Sequence, residues 1–190
     1  MVERVESGSG REPRFVLVMG VCGVGKTSVA RALAGRLGGA FVEGDDFHTP
    51  ENKARMQAGQ ALTDEMRLPW LGMIAEAALE KAGRRTPVII ACSALKRRYR
   101  DFLRSRLGSL AIVHLAGERD LIADRMAART DHFMPVAMLD SQLGDLEPPG
   151  ADEATIVDLA APPEEIIDRI TAIFRPARRD DGESSARPAI

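Results

Sequence analysis

Residues 15–27 read Phe-Val-Leu-Val-Met-Gly-Val-Cys-Gly-Val-Gly-Lys-Thr, and this stretch decides the fold. Phe15–Met19 is a short, continuous apolar run, the pattern of a strand buried on both faces. It runs straight into Gly20-Val21-Cys22-Gly23-Val24-Gly25-Lys26-Thr27, which satisfies GxxxxGK[ST]. The glycines let backbone N–H groups turn inward and approach phosphate oxygens closely. A helix starting near Lys26 points the positive end of its dipole at the same anion. Lys26 reaches the β- and γ-phosphates, and the Thr27 hydroxyl can ligate Mg²⁺. The expected nucleotide-binding set is therefore Gly20, Val21, Cys22, Gly23, Val24, Gly25, Lys26, Thr27 and Ser28, with ATP and Mg²⁺ as the expected cofactors.

Outward from this stretch the chain repeats a strand-then-helix rhythm. Thr27 to Leu37 reads as a helix, with Val29, Ala30, Leu33, Ala34 and Leu37 at helical spacing, and Gly38-Gly39 stops it. Ala40–Glu43 (AFVE) is a second short strand, followed by helical stretches over about Pro50–Ala58 and Asp64–Ala82. Pro87–Cys92 (PVIIAC) is a third strand and Lys96–Leu107 a strongly basic helix. Leu110–Leu115 (LAIVHL) is a fourth strand and Glu118–Arg129 a helix. Thr130–Asp152 reads as a polar, Pro-interrupted section before a fifth strand, Thr155–Leu159 (TIVDL), and a closing helix, Pro163–Phe174. Apolar strands alternating with helices predict a parallel sheet covered on both sides.

Composition suits one such domain. The chain has 190 residues, 45% hydrophobic and 28% charged, enough to fill one core. A formal net charge of −2 supplies no global field for nucleic acid or membrane, so neither is an expected partner and any anion must be caught by local groups. No stretch approaches the roughly 18 uninterrupted apolar residues of a membrane span, and Met1–Pro13 has no apolar core of a signal peptide. Cys22 and Cys92 are too few for a disulfide scaffold and read as reduced thiols of a cytoplasmic protein. Residues 1–13 and 176–190, rich in Gly, Ser, Pro, Arg and Asp, are expected to be disordered tails around a domain spanning 14–175.

A phosphate loop alone does not name a reaction. No NKxD run is present to read guanine, and the chain is too short for the added domains of large motor ATPases. In an open parallel sheet, ligands sit outside the carboxyl ends of the strands. The segment Ser93–Lys96, after the third strand, lies where a second substrate should sit, and Lys96, Arg97, Arg98, Arg100 and Arg104 crowd it with charge. The alternative for this cluster, preferred for Arg98 and Arg104, is a solvated basic helix face.

Further blocks are more specific. They are Gly44-Asp45-Asp46-Phe47-His48 with Pro50, Asn52, Lys53 and Met56; Leu62-Thr63-Asp64 with Arg67 and Pro69-Trp70-Leu71; Cys92-Ser93-Ala94-Leu95-Lys96-Arg97 with Tyr99-Arg100-Asp101 and Leu103-Arg104; and His132-Phe133, Ser141-Gln142 and Leu146-Glu147-Pro148. With these blocks the chain resembles the gluconokinase family of small phosphate-loop kinases, from about Phe15 to Phe174. It departs from the family pattern at Cys22 (commonly Ser), Glu43 (commonly Asp), Thr130-Asp131 (commonly Lys-Gly) and Leu143-Gly144-Asp145 (commonly Phe-Glu-Thr).

The resemblance implies an α/β, three-layer P-loop nucleoside-triphosphate-hydrolase-like fold: a five-stranded parallel sheet, helices on both faces and a small lid. It implies phosphorylation of gluconate by ATP to 6-phosphogluconate, which feeds the pentose phosphate or Entner–Doudoroff route, and it makes a homodimer plausible. It implies that Glu43 stands on the metal side with Thr27, while Asp45 orients and deprotonates the attacking hydroxyl. Strand alternation is expected to turn both carboxylates to one face. Arg67 is the implied substrate carboxylate contact, and Asp45, His48, Ser93, Lys96, Arg100 and His132 complete the implied substrate set. Arg125 and Arg129, four residues apart before the polar section, are the implied clamps on the transferring phosphoryl group, Arg125 with a catalytic part alongside Lys26 and Asp45. Surface arginines near a helix C-terminus remain the alternative for that pair, and packing remains the alternative for His48 and the preferred reading of Trp70. Another sugar acid or a shikimate-like substrate is the alternative within enzymes, and a non-catalytic ATP sensor the alternative outside them.

Overall fold

The structure, a computed structural model, describes residues 13–83, 86–128 and 136–175. Five strands, β1 (Phe15–Met19), β2 (Ala40–Glu43), β3 (Val88–Ala91), β4 (Leu110–Ala116) and β5 (Thr155–Asp158), form one sheet in the order β2-β3-β1-β4-β5, every pair parallel. The helices are α1 (Lys26–Leu37), α2 (Pro50–Gln57), α3 (Asp64–Lys81), α4 (Arg97–Leu107), α5 (Arg119–Ala127), α6 (Val136–Asp145) and α7 (Pro163–Phe174). This is the expected α/β architecture. The two tails, residues 1–12 and 176–190, and the segment 129–135 lie outside the described residues.

Alternation along β1 divides the core. Val16 and Val18 face one side, with Ile89, Ala91, Val113 and the buried residues of α1 and α7. Phe15, Leu17 and Met19 face the other, with Val88, Ile90, Trp70, Ile74, Tyr99 and Leu103 of α3 and α4. All five residues of β1 are buried, as a central parallel strand covered on both faces requires. Burial of two such layers, at roughly 25 cal/mol per Å² of apolar surface, is the main force holding the helices to the sheet.

One stretch differs from expectation. The polar section contains a regular ten-residue helix, α6. Within it and just beyond, Met138, Leu139, Leu143 and Leu146 recur at helical spacing, and Met138 and Leu139 are buried against the α1 side of the sheet. That apolar stripe outweighs the surrounding Asp, Ser and Gly.

Candidate active site

Every loop of the site leaves the carboxyl end of a strand, beside the point where neighbours of β1 lead to opposite edges of the sheet. The phosphate loop follows β1. Gly20, Gly23 and Gly25 all have positive φ, at 143°, 82° and 89°. At Gly23 the requirement is doubled, because a Cβ there would lie 2.4 Å from Met126 Cγ of α5. Helix α1 begins with no side-chain cap and no acidic residue in its first turn, so its free N–H groups face the loop. Lys26 Nζ donates to Val21 O across the loop at 2.8 Å. Burial pushes the Lys26 pKa down, while the nearby carboxylate of Asp45 pulls it back up. Ser28 is exposed on the first turn of α1, and Cys22, expected within the loop, is buried.

The two carboxylates after β2 are placed differently from the expected alternation. Glu43 ends the strand, but Gly44–Phe47 turns into a 3-10 helix, so Asp45 does not continue a strand face. Glu43 caps this turn by accepting from the Asp45 N–H at 3.5 Å. Its other oxygen, Oε2, is buried without a hydrogen-bond partner. Burial raises the Glu43 pKa, and the Thr27 hydroxyl beside it opposes the rise. Asp45 projects outward, its side chain 76% exposed, with Oδ1 3.9 Å from His48 Nε2. Gly44 allows the sharp exit from the sheet, since a Cβ there would meet Ala91 O at 2.6 Å.

A cavity opens beside this turn. His48 and Trp70 form one wall, stacked with ring centroids 4.3 Å apart and planes 14° from parallel. Trp70 Nε1 donates to Gly44 O at 2.7 Å, so the indole both packs and fixes the turn. His48 is buried, its Nδ1 has no partner, and desolvation lowers its pKa. Arg67, Ser93 and Tyr99 also line it, as do Met138, Ser141 and Gln142 of α6 and the apolar Met56, Leu62 and Leu95. The loop holding Ser93 bends through Ala94, which is buried at φ 41°, a left-handed conformation that a residue with a side chain adopts only at a cost.

Charge in the cavity is paired. Arg67 donates through both terminal nitrogens to Asp145 Oδ2 at 3.2 Å, and through Nη1 to the Tyr99 hydroxyl at 3.2 Å. Lys96 Nζ lies 3.3 Å from Asp64 Oδ1 and 3.8 Å from Asp145 Oδ1. Arg98 and the Tyr99 hydroxyl also meet Asp64. Three cationic groups thus share two carboxylates beside the cavity, and of the five Arg67 alone lines it.

The sequence-predicted residues divide accordingly. The phosphate loop, Glu43, Asp45, His48, Arg67, Ser93 and Lys96 come together. Arg100 does not join them: it is 1% exposed, ion-paired to Glu153, and its remaining donors go to Ala94 O, Leu95 O and Glu147 O. The basic pattern after β3 cannot show which cation turns inward, and Arg100 turns away from the cavity. Arg125 is half-buried at the end of α5 and donates to Leu159 O at 2.6 Å, on the phosphate-loop side. Arg129 and His132 lie outside the described residues. Sequence reasoning passed over Asp64, Tyr99, Gln142 and Asp145 as site residues, and the α6 stripe was the available signal for the last two.

A nucleotide-type phosphate loop facing a cationic cavity at the carboxyl ends of a parallel sheet defines a small phosphate-loop kinase. A family model described as an AAA domain matches residues 15–149. The gluconokinase of Gluconobacter oxydans (strain 621H) is 46% identical over 151 residues, 80% of this chain and 85% of that protein. The thermoresistant gluconokinase of Escherichia coli (strain K12) is 37% identical over 163 residues, covering 85% and 93%. A crystal structure of a gluconokinase from Sinorhizobium meliloti 1021 superposes with a TM-score of 0.77 at 46% identity, covering 86% of this chain and 93% of that one. The chain belongs to the gluconokinase family.

Proposed function

We propose that this protein transfers the γ-phosphoryl group of ATP to the 6-hydroxyl of gluconate, giving 6-phosphogluconate and ADP. The observation that carries the reading is a cavity lined by Arg67 and by the polar side chains of His48, Ser93, Tyr99, Ser141 and Gln142 among apolar ones, with Lys96 joined to Arg67 through Asp145 and Gln142 touching the phosphate loop. Gluconate offers one carboxylate and a row of hydroxyls, which this set matches: cations for the acid, and Ser93, His48 and Tyr99 for the hydroxyls.

Phosphoryl transfer needs positioning and charge stabilisation more than covalent participation by the protein. Lys26 and the loop N–H groups hold the β- and γ-phosphates. Asp45 orients the attacking hydroxyl and takes its proton as the oxygen–phosphorus bond forms and the bond to the β-phosphate oxygen breaks. Arg125 stands on the phosphate side to balance charge on the transferring group. Thr27 and Glu43 fit a Mg²⁺ site: the Thr27 hydroxyl neighbours the Glu43 carboxyl, whose Oε2 is buried and unpartnered, the kind of oxygen that a hard cation or its water satisfies. Bound there, Mg²⁺ would take most of its ligands from water and phosphate and would supply neutralisation of phosphate charge. Among the described residues no group of three or more His, Cys, Asp or Glu could hold a metal by itself. No helix among them is long and apolar enough to cross a membrane.

The test is a coupled ADP-release assay with ATP, Mg²⁺ and a panel of sugar acids including shikimate. Gluconate should be turned over fastest, and Asp45→Asn should depress kcat while ATP binding persists. Preference for another acid would replace the substrate assignment, and absence of turnover with any acid would favour an ATP sensor.

A further inference from the structure

Helix α6 reaches the site with Gln142 and Asp145, three residues apart and so on neighbouring positions of one helix face. Gln142 Oε1 accepts the Cys22 N–H at 2.7 Å, a backbone donor inside the phosphate loop. Asp145 Oδ2 accepts from both terminal nitrogens of Arg67, and its Oδ1 lies 3.8 Å from Lys96 Nζ. Each is an acceptor oxygen held on a group that the gluconate kinase reading assigns to an anion. A backbone amide carries one hydrogen, so Gln142 and a phosphate oxygen exclude each other at Cys22. Two carboxylates on the same guanidinium edge compete for the same donors and repel one another.

We propose that Gln142 and Asp145 are resident competitors of the two substrates: Gln142 for a nucleotide phosphate oxygen, Asp145 for the carboxylate of the sugar acid. One helix carries both, so a shift of that helix that withdraws one side chain withdraws the other. The two residues therefore set the affinity for each substrate and make the binding of one favour the binding of the other. This rests on the substrate reading above.

Isothermal titration calorimetry on the full chain tests it. Gluconate is titrated with and without a saturating non-hydrolysable ATP analogue and Mg²⁺, and the analogue is titrated alone. In the parent protein, gluconate should bind several-fold tighter with the analogue present. Asp145→Asn should tighten gluconate binding in the absence of analogue by roughly two- to fivefold, the range of partly exposed ion pairs, and bring the coupling factor toward one. Gln142→Ala should tighten the analogue alone and likewise abolish coupling. Both side chains are half-buried, and Asp145→Ser and Gln142→Ser are second variants should either first choice fail to fold.

Weaker gluconate binding in Asp145→Asn would mean that Asp145 orients Arg67, and would overturn the inference. So would equal tightening with and without analogue, the mark of simple charge removal. A parent that binds gluconate with no coupling overturns this inference alone. A parent that does not bind gluconate overturns the substrate reading and this inference with it.

Discussion

Arg100 and Glu153 form a two-point ion pair, Nε to Oε1 at 2.6 Å and Nη2 to Oε2 at 3.0 Å, with side chains only 1% and 9% exposed. The guanidinium holds the Glu153 carboxyl below the usual carboxylate range. Its third nitrogen binds the carbonyls of Leu95 and Glu147, joining the loop before α4 to the segment after α6. Glu147 closes the same junction by accepting the Arg97 N–H at 2.6 Å.

Arg100→Ala should therefore act on stability. Removing one partner of a buried pair costs about 3–5 kcal/mol where the remaining charge is uncompensated, and Arg104, 3.9 Å from Glu153 Oε1, reduces that loss. Urea denaturation measures it. Parent-like stability with a raised KM for gluconate would instead make Arg100 a substrate contact.

Lys26→Ala should cut turnover by roughly 10²–10³, the usual loss for a preorganised charge on the transition state. The side chain already crosses the loop to Val21 O, so its place is set without ligand. Steady-state kinetics within a few-fold of the parent would contradict the phosphate-loop mechanism.

Arg67→Ala should raise the KM for gluconate far more than that for ATP. A charge-assisted hydrogen bond to a carboxylate contributes about 1.5–3 kcal/mol, or roughly ten- to a hundredfold. It lines the cavity and contacts Asp145 and Tyr99. Equal changes in both KM values would point to a general structural role.

His114 lies in β4 between Met19 of β1 and Ile156 of β5 and is 5% exposed. Burial, helped by the positive charge of Arg100, brings its pKa down to about 4 from 6.5. The fold therefore favours the neutral imidazole. Its contribution is complete above pH 6.5, where the unfolded chain is also neutral, and is lost as pH falls through 6.5 toward 4. At about 1.4 kcal/mol per unit, the loss is at most about 3.5 kcal/mol, reached below pH 4. Thermal melts of parent and His114→Gln across pH 4–7 should show a shallower slope in the variant, and parallel slopes would remove His114 as the cause.

The parts of this fold written in contiguous residues are legible in the sequence. Phe15–Thr27 shows strand, loop and helix start because the strand is buried on both faces and the loop needs its glycines in fixed positions. The apolar runs at β3 and β4 are legible for the first of those reasons, and those at β2 and β5 by their short apolar pattern after a helix, although only some of their residues are buried. What escapes is long-range pairing. Lys96 and Arg100 look alike as cations after β3, yet one faces Asp64 and the cavity while the other meets Glu153, 53 positions along the chain. Nothing local distinguishes them. Helix α6 was hidden by Asp140, Ser141 and Gly144, although its apolar stripe was present. Alternation at Glu43 and Asp45 failed because the strand ends between them in a 3-10 turn.

Trp70 is the single tryptophan of the chain, and its indole lies 4.3 Å from the imidazole of His48, against the cavity. Ultraviolet emission excited at the indole band thus originates at one point, within the wall of the site. An imidazolium stacked on an excited indole accepts an electron from it, whereas neutral imidazole does so poorly. Burial lowers the His48 pKa, so the emission should dim on acidification as the imidazolium forms. Anything that separates the two rings, or hydrogen-bonds the unpartnered Nδ1, should change that brightness. The stack would thus serve as an optical gauge of the cavity, readable without a label.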